Sequence, residues 1–155
     1  MADLKYFMRP ENKEEEIVEI PGVASIADEK GNPIPYKVKV LSQTEITEIN
    51  NRYKKRKLCC DKKGKPYTNG NMAIYQEETD AARALRHIMV EAIVDPNLKD
   101  KKLMDFYKIS DITDLPTKIW SNTRDFNEVQ NQVLTAIGIL GNADEDVDEV
   151  EEAKN

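Results

Sequence analysis

The sequence predicts an α+β fold, mainly helical, in which one or more N-terminal β-hairpins precede a C-terminal cluster of helices. Three observations carry that prediction. The run Tyr36-Lys37-Val38-Lys39-Val40 alternates apolar and charged residues, the period of a half-buried strand. Ala81, Ala82, Leu85, Ile88, Met89, Ala92 and Ile93 recur at helical spacing, opposite Arg83, Arg86, His87 and Glu91. Phe126, Val129, Val133, Ile137 and Leu140 likewise share one face of a last helix.

Taken in order, residues 1–15 mix Met, Phe, Pro and a Glu run without a sustained period and read as a partly flexible arm. Only Tyr6, Phe7 and Met8 are suited to docking there. Ile17, Val18 and Ile20 form a β-prone run that a Gly31-Asn32-Pro33 loop joins to the alternating strand. Ser42 and Glu45 then make a capping box, with Leu41 and Ile46 at the staple positions, so a helix starts at this point. Ile46, Ile49 and Tyr53 lie on its apolar face. It is expected to fray among Lys54, Lys55, Arg56 and Lys57, cations suited to the negative end of a helix.

Gly64, Pro66 and the Asn69-Gly70-Asn71 signal predict a long hairpin or extended excursion between Leu58 and Gln76. Thr79 is expected to open the central helix. That helix leads directly into Asp95-Pro96-Asn97-Leu98-Lys99-Asp100, where Pro96 stops one helix and Asp100 caps the next, putting Leu103, Met104 and Tyr107 on one face. Asp114-Leu115-Pro116 opens a short helical turn, Thr123 caps the last helix and Gly141 ends it.

A chain of 155 residues has the size of one domain, assigned to residues 16–141. Residues 142–155 hold seven acids and one base, which leaves 22 of each elsewhere, so the net charge of -6 belongs wholly to this tail. Such a segment cannot bury enough apolar surface to fold alone and is expected to be disordered. Val147 and Val150 are nevertheless spaced for one helical face, so Asp144, Asp146, Val147 and Val150 are the candidate partner contacts. No run of about 18 apolar residues occurs and the N-terminus lacks a signal-peptide core, which predicts a cytosolic protein with no membrane contact. Cys59 and Cys60, adjacent and alone, suit neither a mutual disulfide nor a zinc site, and read as reduced thiols.

Residues that could carry catalysis do not assemble into a pattern. His87 has no second histidine or nearby nucleophile and reads as a surface residue of the central helix. Gly64-Lys65-Pro66 lacks the frame of a phosphate loop, and Asp61-Lys62-Lys63-Gly64 places lysines where calcium needs oxygens. Neither an enzyme nor a cofactor or metal site is expected. The basic cluster Arg52, Lys54, Lys55 and Arg56, continued by Lys57, Lys62, Lys63 and Lys65 and interleaved with Tyr53 and Tyr67, supports an alternative reading as a nucleic-acid-binding accessory protein. A neutral body and a competing acidic tail weigh against nucleic acid. A small regulatory adaptor is the other alternative. Trp120 reads as a core anchor between the last two helices.

The elbow and the helix after it, Asp95 to Tyr107, together with Gly31–Ile46, Arg86–Val94 and Val133–Gly138 in collinear order, resemble the XkdN-like family of phage tail assembly chaperones. The segment Cys59–Gln76 matches least. The resemblance implies a non-enzymatic protein of a long-tailed bacteriophage or prophage. In that family's role it binds the tape measure protein, helps tail tube protein polymerise around it, acts in the host cytoplasm and is absent from the finished virion. A homo-oligomer is compatible with this. Relatives are also made in two lengths by a ribosomal frameshift, and Ala153-Lys154-Asn155 permits the slip-prone coding GCA-AAA-AAC.

Overall fold

In the computed structural model, which describes residues 1–10 and 14–141, the alternating run is a strand in the middle of a sheet. Strands β1 (Ile17–Ile20) and β2 (Tyr36–Lys39) pair antiparallel, with Val18 opposite Val38 and Ile20 opposite Tyr36. The alternation does what its period requires: Tyr36 and Val38 are buried and Lys37 is exposed. In the intervening loop, Gly22 passes so close to Ile34 that a Cβ at residue 22 would lie 1.9 Å from the Ile34 carbonyl oxygen. Only glycine fits there. The N-terminal segment makes a 3-10 turn at Leu4–Tyr6, but Tyr6, Phe7 and Met8 are exposed instead of docked.

The capping box is formed as expected. Ser42 Oγ accepts from the Glu45 N–H at 3.2 Å, and the Glu45 carboxylate accepts from the Ser42 N–H at 2.8 Å, opening α1 (Gln43–Arg52). Beyond Tyr53 the basic residues do not fray. Lys54–Leu58 forms strand β3, because the hairpin returns an acidic strand to pair with it. A small hairpin of β4 (Thr68–Asn69) and β5 (Met72–Ala73) turns at Gly70, whose φ is 66°, and β6 (Tyr75–Thr79) runs back along β3. Thr79 therefore ends a strand, and Asp80 caps α2 (Ala81–Ala92) by accepting from the Arg83 N–H at 3.2 Å.

The elbow differs from the expected helix-elbow-helix. A third strand, β7 (Ile93–Asp95), follows α2 at once and pairs antiparallel with β2, giving the sheet order β1-β2-β7. The Asp95–Pro96 peptide is cis, Leu98 is fully buried, and Asp100 caps α3 (Lys101–Tyr107) through the Lys102 N–H at 2.9 Å. Leu103, Met104 and Tyr107 are half-buried, as the spacing requires. Helix α4 (Leu115–Ile119) has Pro116 in its first turn. Asn122, not Thr123, caps α5 (Thr123–Ala136), since its amide oxygen is the group that accepts from the Arg124 N–H at 2.9 Å.

Helix α5 stops at Gly138, three residues before the expected Gly141. Gly138 has φ 86°, its N–H donates to Thr135 O at 3.1 Å, and the Ile139 N–H donates to Leu134 O at 2.9 Å. This is the Schellman arrangement, so Leu140 leaves the buried face and is exposed. Val38, Ile88, Met89, Leu115, Val129 and Val133 lie at the centre of the core. Trp120 is buried there, but its partner is the sheet: its indole N–H donates to the Tyr36 hydroxyl at 3.3 Å, and the two rings meet edge to face at 5.8 Å. The α+β class holds, with five α-helices and seven short strands among the described residues. The mainly helical, hairpin-then-helices arrangement holds only in part, because strands return after α1 and again after α2. No helix among the described residues is long and apolar enough to cross a membrane.

Candidate functional site

The basic cluster builds an arm. Strands β3 and β6 pair over their full length, which sets Lys55 opposite Glu78, Arg56 opposite Glu77 and Lys57 opposite Gln76. Lys55 Nζ lies 3.7 Å from Asp80 and Lys57 Nζ 3.5 Å from Glu78, while the Arg56 guanidinium sits 4.5 Å from the centre of the Tyr75 ring. Of the four residues in the alternative nucleic-acid reading, Lys55 thus pairs with the α2 cap Asp80 and Arg56 with Tyr75 of the ribbon. Arg52 ends α1, and Lys54 begins β3. No residue from Lys54 to Thr79 is buried, so the hairpin projects from the body. Its distal part exposes Tyr67, Met72, Ile74 and Tyr75 together. Cys59 and Cys60 are both free thiols on this arm.

The root of the arm is fastened by a polar chain that the sequence reading did not find. The Asp80 N–H donates to Tyr53 O at 2.9 Å, closing the ribbon where it leaves the body. His87, expected on the surface, is buried: its Nδ1 is 2.5 Å from the Tyr53 hydroxyl and its Nε2 3.4 Å from Glu91. Glu91 in turn pairs with Lys99 of the elbow. Burial alone would raise the Glu91 carboxyl, but the Lys99 hydrogen bond and charge, helped by His87, hold it below the ordinary range. The Tyr53 hydroxyl is pushed up by burial. Over its ring lies the Arg83 guanidinium, 5.2 Å from the ring centre, which pairs with Asp111. The Thr113 backbone N–H is the main reason that the Asp111 carboxyl lies low, with Arg83 contributing. The His87–Glu91 spacing of four was the legible sign of this network; that Tyr53 would meet it was not legible.

Two grooves flank the sheet. One, of about 520 Å³, lies between the strand-entry segment and the start of α1, with Glu14, Glu15, Glu16, Glu45 and Glu48 around Lys39. Lys39 is 3.3 Å from Glu15 and 3.4 Å from Glu45. The other, of about 430 Å³, runs between β1 and α5 and is mostly apolar, with Val18, Ile20 and Pro21 on one wall and Gln132, Thr135 and Ala136 on the other. The Gln132 side-chain oxygen is buried beside this groove, with no hydrogen-bond partner among the described residues. Asp144, Asp146, Val147 and Val150 lie outside the described residues.

The described residues thus present an exposed, apolar-tipped arm on a small α+β body and an open groove beside an edge strand. The chain is 28% identical over 151 residues to the uncharacterized protein YqbN of Bacillus subtilis (strain 168), covering 97% of this chain and 91% of that one. It is also 28% identical over 153 residues to the phage-like element PBSX protein XkdN of the same organism, covering 99% of this chain and 94% of the other. The crystal structure of the protein YqbN shares the fold, with a TM-score of 0.62 at 23% identity over 89% of this chain and 98% of that chain. Residues 4–154 match the family described as phage XkdN-like tail assembly chaperone protein, and to that family this chain belongs.

Proposed function

We infer that this chain is a non-enzymatic chaperone of phage tail assembly, which binds the tape measure protein and assists polymerisation of tail tube protein around it. The observation that carries the reading is the family match across residues 4–154, nearly the entire chain. The structure supplies compatible surfaces. The arm exposes Met72, Tyr67, Ile74 and Tyr75 without burying any of its own residues, and Met and aromatic side chains adapt to varied apolar partners. Tail residues Asp144 and Asp146, with Val147 and Val150, would add contacts to basic helical segments. The protein acts in the host cytoplasm and leaves before the virion is complete.

Co-expression tests this. The tape measure protein from the same tail gene set should move from the pellet into the soluble fraction when this chain is present. Met72→Glu with Ile74→Glu should abolish the transfer while leaving the chaperone folded. A tape measure protein equally insoluble with and without the wild-type chain would sink the reading.

A further inference from the structure

Strand β1 is the outer strand of its sheet, and its free edge has a legible hydrogen-bond pattern. The Val40 N–H donates to Glu16 O at 2.8 Å, so the hydrogen-bonded pairs with β2 fall at Glu16, Val18 and Ile20. The N–H and C=O groups of Ile17 and Glu19 therefore point away from β2. Among the described residues no backbone bond reaches them.

Strand β3 presents the same vacancy with the opposite charge. The Asp80 N–H bond to Tyr53 O and the Cys59 N–H bond to Ile74 O put the paired positions of the ribbon at odd residues of β3. The backbone groups of Lys54, Arg56 and Leu58 thus face outward, the Leu58 carbonyl accepting from the Cys60 thiol at 3.7 Å. Residues 14–20 hold four acids and no base, whereas the five residues of β3 hold four bases and no acid.

We propose that the β3 strand of one copy adds to the β1 edge of a second copy, extending the second copy's sheet by one strand. Pairing Ile17 and Glu19 with two of Lys54, Arg56 and Leu58 sets Glu19 beside a basic side chain. It also sets Lys55 or Lys57 opposite Val18, on the face that overlooks the β1–α5 groove. The mostly apolar walls of that groove suit a lysine, whose methylene stem packs on them while its ammonium stays in water at the rim. Like-with-like pairing is disfavoured, since β1 against β1 brings two acidic segments together and β3 against β3 two basic ones. The contact is therefore head to tail, and it propagates to a ring or an open filament.

Two proline variants test it, because each removes an outward N–H and leaves the internal ladder intact. At low salt the wild-type chain should sediment as multiples of 17.7 kDa that dissociate as salt is raised. Glu19→Pro and Arg56→Pro should each be monomeric, and an equimolar mixture should form a dimer that grows no further, one variant offering an arm and the other an edge. Glu16→Lys with Glu19→Lys, read alongside circular dichroism, gives a second route to the monomer if a proline variant fails to fold. Wild-type chain that stays monomeric at about 100 μM in low salt would overturn the proposal. So would variants that assemble like the wild type, or a mixture that stays monomeric. A monomeric wild type whose solubilisation of tape measure protein is abolished by Glu19→Pro would instead assign the edge to that partner.

Discussion

Gly22 and His87 show how single residues can matter for reasons that their neighbours in the chain do not announce. Gly22 is needed because the loop after β2's partner strand crosses itself: the Ile34 carbonyl occupies the space a side chain would take. Gly22→Ala should cost roughly 2–4 kcal/mol, as two backbone segments must part to admit a methyl group. Urea denaturation measures this directly, and an unchanged midpoint would refute the close approach. His87 was legible as a polar position on α2 but is buried, since Tyr53 and Glu91 satisfy both ring nitrogens and so remove the cost of taking imidazole out of water. Trp120 was legible as a core anchor; that Tyr36 would be its partner was not.

Among the elements, those with signals inside one turn of chain were readable to within a few residues. Thr79, Thr123 and Gly141 each stand one to three residues from the cap or stop that forms. The Ser42/Glu45 capping box, the Asp100 cap and the alternation of Tyr36–Lys39 are each local, and each formed as written. Elements that exist only because a distant strand arrives were not readable. Lys54–Leu58 has a poor strand composition and reads as a helix end, yet it is ordered by cross-strand acids more than twenty residues further on. The arm these strands make contributes little to the body, because none of its residues is buried. Replacing residues 55–78 with a short glycine-containing turn should therefore leave stability within about 1 kcal/mol of the parent, the root being closed already by the Tyr53–Asp80 bond. Loss of cooperative urea unfolding in that variant would show the arm to be part of the core structure.

For the whole molecule, charge is the property that divides most sharply: a neutral body carries an acidic tail, and within the body β3 is basic where β1 is acidic. Burial and pairing also couple folding to protons. Glu45, Glu91 and Asp111 all have carboxyls lowered in the folded state, so unfolding takes up protons as acid is added. Their contribution is complete above the ordinary values of 4.5 for the glutamates and 3.8 for the aspartate, and it is lost as pH falls through the lowered ones. Stability measured by urea titration should decline below about pH 4.5, and Glu91→Gln should flatten that decline while leaving a lower plateau at neutral pH. An identical pH profile for the variant would remove the Lys99–Glu91–His87 chain from the account.

What the chain determined alone was the identity and order of its local elements, the partition of its charge and, through collinear motifs, its resemblance to a family. Caps, turns and apolar periods act across a few residues, so they survive being read in one dimension. Tertiary structure decided the rest: that Ile93–Asp95 leaves α2 to complete the sheet beside Val38, that the basic run becomes a strand, and that α5 stops beside β1 to leave an apolar groove. These outcomes depend on pairings between residues far apart in sequence, where the register is chosen by which partner buries or neutralises which side chain. No short window of sequence contains both members of such a pair.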